Sequence, residues 1–334
     1  MMKGIFSKKN LTTNEMFVVY IILILSLLIG LVNPAFFTID TVFGTARSIL
    51  ITMIFALCEM VIIISGGIDV SFPAIACFSL YFTISIMNIY HINSIVFAFV
   101  LSGLLGFAWG VINGLLIGKF KIPALIATLG TSSLANGTTL AYSGGRDISN
   151  IPSAVDALSH KFLFSIQNAT GGKSTMTIFI ILPILLCFFI HWILKYTMLG
   201  RKIYAVGGDS NAARIAGINV IKTQFIIYMF TGFLTGIAGI SNAILMRNAH
   251  PSNLMGAEMM VIAAVVIGGT RITGGHGTVI GTVLGVLLIG LVSNNLIMLG
   301  IPNYWQTFAV GLIIVIGTSI TSLRAKKIAL SPKI

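Results

Sequence analysis

Glu59 and Asp69 are two carboxylates in a very apolar part of the chain. Glu59 lies inside a run that begins near Ile49, and Asp69 follows in "IIISGGIDVSFPA", Ile62 to Ala74. A carboxylate there can accept hydrogen bonds from hydroxyls, relay a proton or balance a cation. For Glu59 two readings stand open: a polar contact to a neighbouring helix, or a proton relay, although no His or Lys shares its run. Other chemistry is sparse. Cys58, Cys77 and Cys187 all lie in apolar runs without metal-ligand spacing and read as small buried hydrophobes. His91, His160, His191, His250 and His276 share no zinc-type spacing, so no metal site is expected. "GGKST" at 171–175 resembles part of a phosphate loop, but the first glycine that loop needs is Gln167 here. No nucleophile–base pair appears either. The chain is expected to be no enzyme and to carry no cofactor of its own, so any ATP hydrolysis belongs to another chain.

The elements that must position these groups follow from composition. The 334 residues are 57% hydrophobic and only 8% charged, about a third of the charge of a soluble protein. Apolar runs near the length of a bilayer crossing recur from end to end. The expected fold is all-α: a polytopic membrane protein of about ten helices, some broken by Gly-rich turns, in one membrane domain over 1–334. The spans are placed near 16–33, 43–65, 71–89, 93–117, 123–142, 174–195, 223–246, 257–270, 277–299 and 304–322. The run Met16 to Val32 follows Lys3, Lys8 and Lys9 but precedes "NPAFF" rather than a cleavage site, so it reads as a retained span.

With both termini in the cytoplasm, fifteen Lys and Arg face inward and five, Arg47, Arg146, Lys161, Lys173 and Arg247, face outward. The net charge of +12 therefore reads as topology and inner-leaflet contact, with no nucleic-acid partner. Two polar segments remain: an extracytoplasmic loop, 143–173, and a cytoplasmic segment, 196–222.

Three glycine-rich stretches punctuate this frame. Gly66 and Gly67 interrupt a helix, Asp69 or Ser71 caps the next one, and Pro73 suits its first turn. One reading makes Asp69 a cap in a short turn. The other lets the break dip into the membrane and line a pathway, because the turn is short, lacks Lys and Arg, and has apolar flanks. The second stretch, 261–285, repeats the pattern around Gly268 and Gly269 on the same side, suggesting a parallel repeat of spans one to four and seven to ten. In the third, Asp209, Ser210 or Asn211 caps a short helix that Gly217 stops. It is either a docking surface for a soluble partner or a solvated connector. The glycines at 232, 236 and 239 and at 281, 285 and 290 read as close helix packing.

"SGGIDVS" (65–71), "GGDSNAARIAGIN" (207–219) and "GGTRITGGHGTVIGTVLG" (268–285) resemble the membrane permeases of bacterial ATP-binding-cassette sugar importers, the ribose and autoinducer-2 permeases among them. The resemblance implies a permease dimer in the bacterial inner membrane, cytoplasmic ATPase subunits and an extracytoplasmic sugar-binding protein. It implies that Gly207, Gly208, Asn211, Ala213, Arg214 and Gly217 dock the ATPase. Gly66, Gly67, Asp69, Ser71, Gly268 and Gly269 are the candidate substrate pathway. The family usually has Val-Gly-Ser where this chain has Phe72, Pro73 and Ala74, and Met-Thr where it has Glu59 and Met60. The sugar, a ribose-like pentose, a hexose or an autoinducer-2-like compound, stays open. The alternative is a stand-alone ion-coupled carrier, whose buried charges could only be Glu59 and Asp69.

Overall fold

The computed structural model describes residues 14–167 and 172–302, with 305, 308, 311, 312 and 315 beyond them. In chain order the helices are α1 (Asn14–Val32), α2 (Ile39–Ser48), α3 (Leu50–Ile64), α4 (Phe72–Ile89), α5 (Ile95–Gly114), α6 (Ala124–Ser143), α7 (Ser153–Ser159), α8 (Ile181–Tyr196), α9 (Met198–Gly208), α10 (Ser210–Ile215), α11 (Val220–Met246), α12 (Ala257–Ile267) and α13 (Val279–Asn295). Strands β1 (Phe162–Gln167) and β2 (Lys173–Thr177) form one antiparallel hairpin between α7 and α8.

α3 is buried on every face from Met53 to Ile64, which makes it the axis of the molecule. α11 lies against it and against α4 and α5. Small residues permit that approach. A Cβ at Gly236 would collide with the Ser102 carbonyl, and the Ser102 hydroxyl donates to the Gly236 carbonyl at 2.7 Å. Gly232 meets Gly106 and Gly110 in the same seam, and Gly285 sits on Ala264 between α12 and α13. These glycines pack as expected. α1, by contrast, leaves most of its apolar surface outward, as a lipid-facing helix does, and touches mainly α13.

The expected count of ten spans is not reached among the described residues. Six helices are long and apolar enough to cross, and α2 with α3, bent by 44°, makes up to seven. α6 has 20 residues but is rich in Thr, Ser and Asn, from Thr128 to Thr139. α12 has 11 residues, about 17 Å, roughly half a bilayer. The segment expected at 174–195 starts later, because Lys173–Thr177 is strand β2. Most of the expected span at 304–322 lies outside the described residues, as do Lys3, Lys8 and Lys9 and the basic C-terminal residues.

Two ends are distinct. One carries the breaks after α3 and α12, with α9 and α10. The other carries α7, the hairpin and the end of α11, where Arg247 grips Asp156 through two hydrogen bonds of 2.7 and 3.1 Å.

Candidate functional site: two helix breaks beneath a capped surface helix

At the first break, α3 ends on Ser65, whose hydroxyl donates to the Ile62 carbonyl at 2.7 Å, and Gly66 turns the chain at φ +89°. Asp69 and Ser71 are both buried. Ser71 holds the cap position of α4 without a side-chain cap bond, and Pro73 sits in the first turn. The Ser71 hydroxyl donates instead to Asp69 Oδ1 at 2.6 Å, as does the Ser71 N–H at 2.6 Å. Asn113 Nδ2 on α5 donates to Ser71 Oγ at 2.9 Å, and the Thr131 hydroxyl on α6 donates to Asn113 Oδ1 at 2.7 Å. Each donor in this chain points toward the Asp69 carboxylate, so the bonds reinforce one another. The Asp69 N–H in turn donates to Glu59 Oε1 at 3.2 Å. Glu59 is fully buried, and its Oε2 has no partner among the described residues. Asp69 therefore does more than cap a surface turn: it ties α3, α4, α5 and α6 together.

The second break is held by backbone. Gly269, Gly274 and Gly275 adopt φ of +100°, +87° and +71°. The Gly275 N–H donates to the Ile64 carbonyl at 2.9 Å, and the Tyr204 hydroxyl on α9 donates to the Gly277 carbonyl at 2.7 Å. The two breaks thus meet at the same end, as the span placement suggested. Gly274 and Gly275 make the contact. Gly268 packs on Gly281 of α13. No sequence signal separated these two pairs, since all four are glycines beside polar residues.

The cytoplasmic-type segment follows its expected grammar. Asp209 Oδ1 accepts from the N–H groups of Asn211 at 2.8 Å and Ala212 at 3.0 Å, and Gly217 ends α10 at φ +83°. α9 was not anticipated as a helix of its own. Gly208, Asn211, Arg214 and Gly217 are exposed, whereas Ala213 is buried. Gly207 is buried under the first break, where a Cβ would collide with the Ile64 carbonyl. "GGKST" loses its phosphate-loop geometry: Lys173–Thr177 is a strand, and Ser174 donates its hydroxyl to Asp40.

Cavities open at both ends of the α3–α11 pair. At the break end, a cavity of about 690 Å³ is lined by Ser65, Gly66, Gly67, Lys121, Arg214 and Gln224, with Tyr228 on α11. The Tyr228 hydroxyl is buried without a partner among the described residues. At the hairpin end, a second cavity of about 410 Å³ lies between α2, α3 and the end of α11. Between them α3 is closed from Ala56 to Ile64, and Phe55 and Phe72 meet with ring centroids 4.9 Å apart. Sequence reasoning missed Asn113, Thr131 and Tyr228. A polar group inside an apolar run was the available signal for the first.

A bundle whose helices break beneath a capped surface helix, with closed core between opposed cavities, has the build of a transport permease. The chain belongs to the family described as "branched-chain amino acid transport system / permease component", whose model matches residues 41–317. It is 32% identical over 296 residues to the ribose import permease protein RbsC of Escherichia coli K12, covering 88% of this chain and 89% of that protein. It is 32% identical to the Bacillus subtilis 168 ribose import permease, covering 88% of each chain. It is 31% identical to the autoinducer 2 import system permease protein LsrC of Escherichia coli O9:H4, covering 88% of this chain and 82% of that one. No solved structure gives a significant match. The chain is a multi-pass membrane permease, and the stand-alone carrier reading gives way to that of an import permease subunit.

Proposed function

We propose that this chain is the permease subunit of an ATP-driven sugar importer in the bacterial inner membrane. It pairs with a second permease copy or paralogue, binds a cytoplasmic ATPase through α10, and receives sugar from an extracytoplasmic binding protein. It holds no cofactor; the ATPase is a separate chain. The observation that carries this reading is the seating of the α9–α10 unit directly on the first break. Backbone meets backbone there, with Gly207 against Ile64 and Gly275 bonded to the Ile64 carbonyl. A push on α10 reaches the break without passing through a flexible side chain.

Charge supports a cytoplasmic break end. It carries Lys119, Lys121, Lys195, Arg201, Lys202, Arg214, Lys222 and Arg271, against Arg47, Arg146, Lys161, Lys173 and Arg247 at the other end. A sugar fits the cavities better than the amino acid in the family's description. Among the described residues no Asp or Glu lines either cavity, so an ammonium group finds no carboxylate partner there. Asp69 and Glu59 lie in the closed core between them. Their role beside the pathway is to hold the first break in place, so that it opens as a unit.

The test is reconstitution in liposomes. ATP-dependent sugar accumulation is expected only with the ATPase and the binding protein present. Accumulation by the permease alone, driven by a proton or sodium gradient, would overturn the proposal.

A further inference from the structure

The β1–β2 hairpin carries an apolar face that its own register points out. Side chains directly opposite each other across two strands share a face. Phe162 pairs with Thr177, Phe164 with Met176 and Ile166 with Ser174, whereas Ser165 pairs with Thr175 and Gln167 with Lys173. β2 rests on α2: Ser174, Met176 and Thr177 are buried, and the Ser174 hydroxyl donates to Asp40 in the first turn of α2. β1 overhangs that support. Met176 is 6% exposed, but its partner Phe164 is 57% exposed, and Phe162 and Ile166 are exposed beside it. The outer edge of β1 meets no third strand among the described residues. A bare apolar edge strand is an aggregation hazard in water, so this one needs a cover.

Three observations make that cover lipid. The base of the hairpin sits where a crossing begins: the Ile178 N–H donates to the Lys161 carbonyl at 3.2 Å, and the apolar span that contains α8 starts at Ile178. α8 turns Ile181, Ile184, Leu185 and Phe188 outward, so β1 starts at the head of a lipid-facing surface. Lys161 precedes β1 and Lys173 opens β2, while neither strand holds an Asp or Glu. Cations flanking an apolar patch suit lipid phosphates. The free backbone edge sets the depth. Its N–H and C=O groups need polar partners, which headgroups and water supply and acyl chains do not.

We propose that the hairpin is a membrane-surface anchor, lying in the headgroup region of the leaflet at its end of the molecule. Phe162, Phe164 and Ile166 point toward the acyl chains, Ser165 points toward water, and Lys161 and Lys173 meet phosphates. Through Ser174 and Asp40 the anchor holds α2, and with it the bend into α3. The inference goes beyond the sugar-importer reading and needs only that the chain is a multi-pass membrane protein.

Alternation along β1 is the test. Nitroxide labels are placed singly through Phe164→Cys, Ser165→Cys and Ile166→Cys in a Cys187→Ala background; Cys58 and Cys77 are buried. The permease with its ATPase is studied in liposomes of phosphatidylethanolamine and phosphatidylglycerol. Labels at 164 and 166 are expected to collide severalfold more with oxygen, which dissolves in lipid, than with a water-soluble nickel chelate. The label at 165 is expected to show the reverse. Nickel preferred at all three positions overturns the anchor, as does shielding of 164 and 166 from both reagents, the sign of a second permease copy on this face. Nickel access at 164 that disappears when the binding protein is added also overturns it and assigns the face to that partner. Phe164→Trp, which keeps an aromatic ring, gives an independent reading. Its added emission is expected to be quenched by brominated lipid more than by acrylamide, and the opposite order overturns the proposal.

Discussion

The two helix breaks share a glycine pattern and differ in what holds them. The first is anchored by side chains: Asp69, Ser71, Asn113 and Thr131 link α4, α5 and α6 through bonds of 2.6 to 2.9 Å, and the Asp69 N–H reaches Glu59 of α3 at 3.2 Å. The second is anchored mainly by main chain, the Gly275 N–H to the Ile64 carbonyl and the Gly277 carbonyl to the Tyr204 hydroxyl, and its buried Thr270 hydroxyl has no partner among the described residues. Similar interruptions therefore answer to different substitutions. The first break is fixed to its neighbours by a branching polar network. The second is fixed to the first by close backbone approach, and to α9 by that approach and by the Tyr204 hydroxyl. A displacement of α9 and α10 meets both at Ile64.

The largest effect is expected where the two breaks and α9 converge. Gly207→Val places a branched side chain against the Ile64 carbonyl, and overpacking of this kind costs about 3 kcal/mol. Yield of folded permease and its thermal midpoint should both drop sharply. A stable, active Gly207→Val would mean that the convergence is loose.

Removing the carboxylate breaks the contrast at its chemical root. Asp69→Ala strands the buried Ser71 N–H and hydroxyl, a loss of about 1–3 kcal/mol. Asp69→Asn keeps an acceptor but loses the charge-assisted strength, so stability should fall less while uptake per assembled complex falls strongly. The matched substitution at the second break is Thr270→Val. It removes an unpartnered hydroxyl and should leave stability within about 0.5 kcal/mol of the wild type or above it. Equal penalties for Asp69→Ala and Thr270→Val would erase the distinction. Wild-type transport by Asp69→Asn would reduce Asp69 to a structural anchor.

A third expectation concerns the surface above the breaks. Arg214 and Gly217 are exposed, with Gly217 at φ +83°. Arg214→Glu or Gly217→Pro should leave the membrane fold intact, yet uncouple ATP hydrolysis from uptake or release the ATPase during purification. Normal coupling in both variants would remove α10 from the interface.

The smallest effect belongs to the far end. The hydrogen bonds from Arg247 hold the Asp156 carboxyl below its ordinary range. A carboxyl depressed in the folded state contributes stability above its unfolded value, and the contribution is lost as pH falls through the folded one. Arg247→Leu should lower the thermal midpoint slightly at neutral pH, and the difference should vanish at about pH 3 or below. A difference that grows on acidification would contradict the ion pair. The breaks should not respond to Arg247→Leu, since Asp156 lies at the opposite end.

Much of this architecture was legible in the sequence, wherever the cause is local. The cap of α10, open in the sequence to Asp209, Ser210 or Asn211 and taken by Asp209, and its stop at Gly217 need only a few consecutive residues, and both formed. The helix interruptions at Gly66 and in 268–278 are equally local. Apolar content chose the solvent, and helix followed because lipid leaves backbone groups no other partners. The three motifs carried the family. Tertiary structure decided what lies far apart along the chain. Asn113 reaches Ser71 across 42 positions, and Thr128 reaches Val70 across 58. Such pairs arise only once α4, α5 and α6 have packed. The same packing chose Gly274 and Gly275 over Gly268 and Gly269 as the contact between breaks, paired Lys173–Thr177 with a strand, and left α12 too short to cross alone. Sequence patterns set turn, cap and solvent because those energies depend on near neighbours. Hydrogen-bond partners across helices, and the cavities left between them, depend on how whole helices pack, which no short stretch encodes.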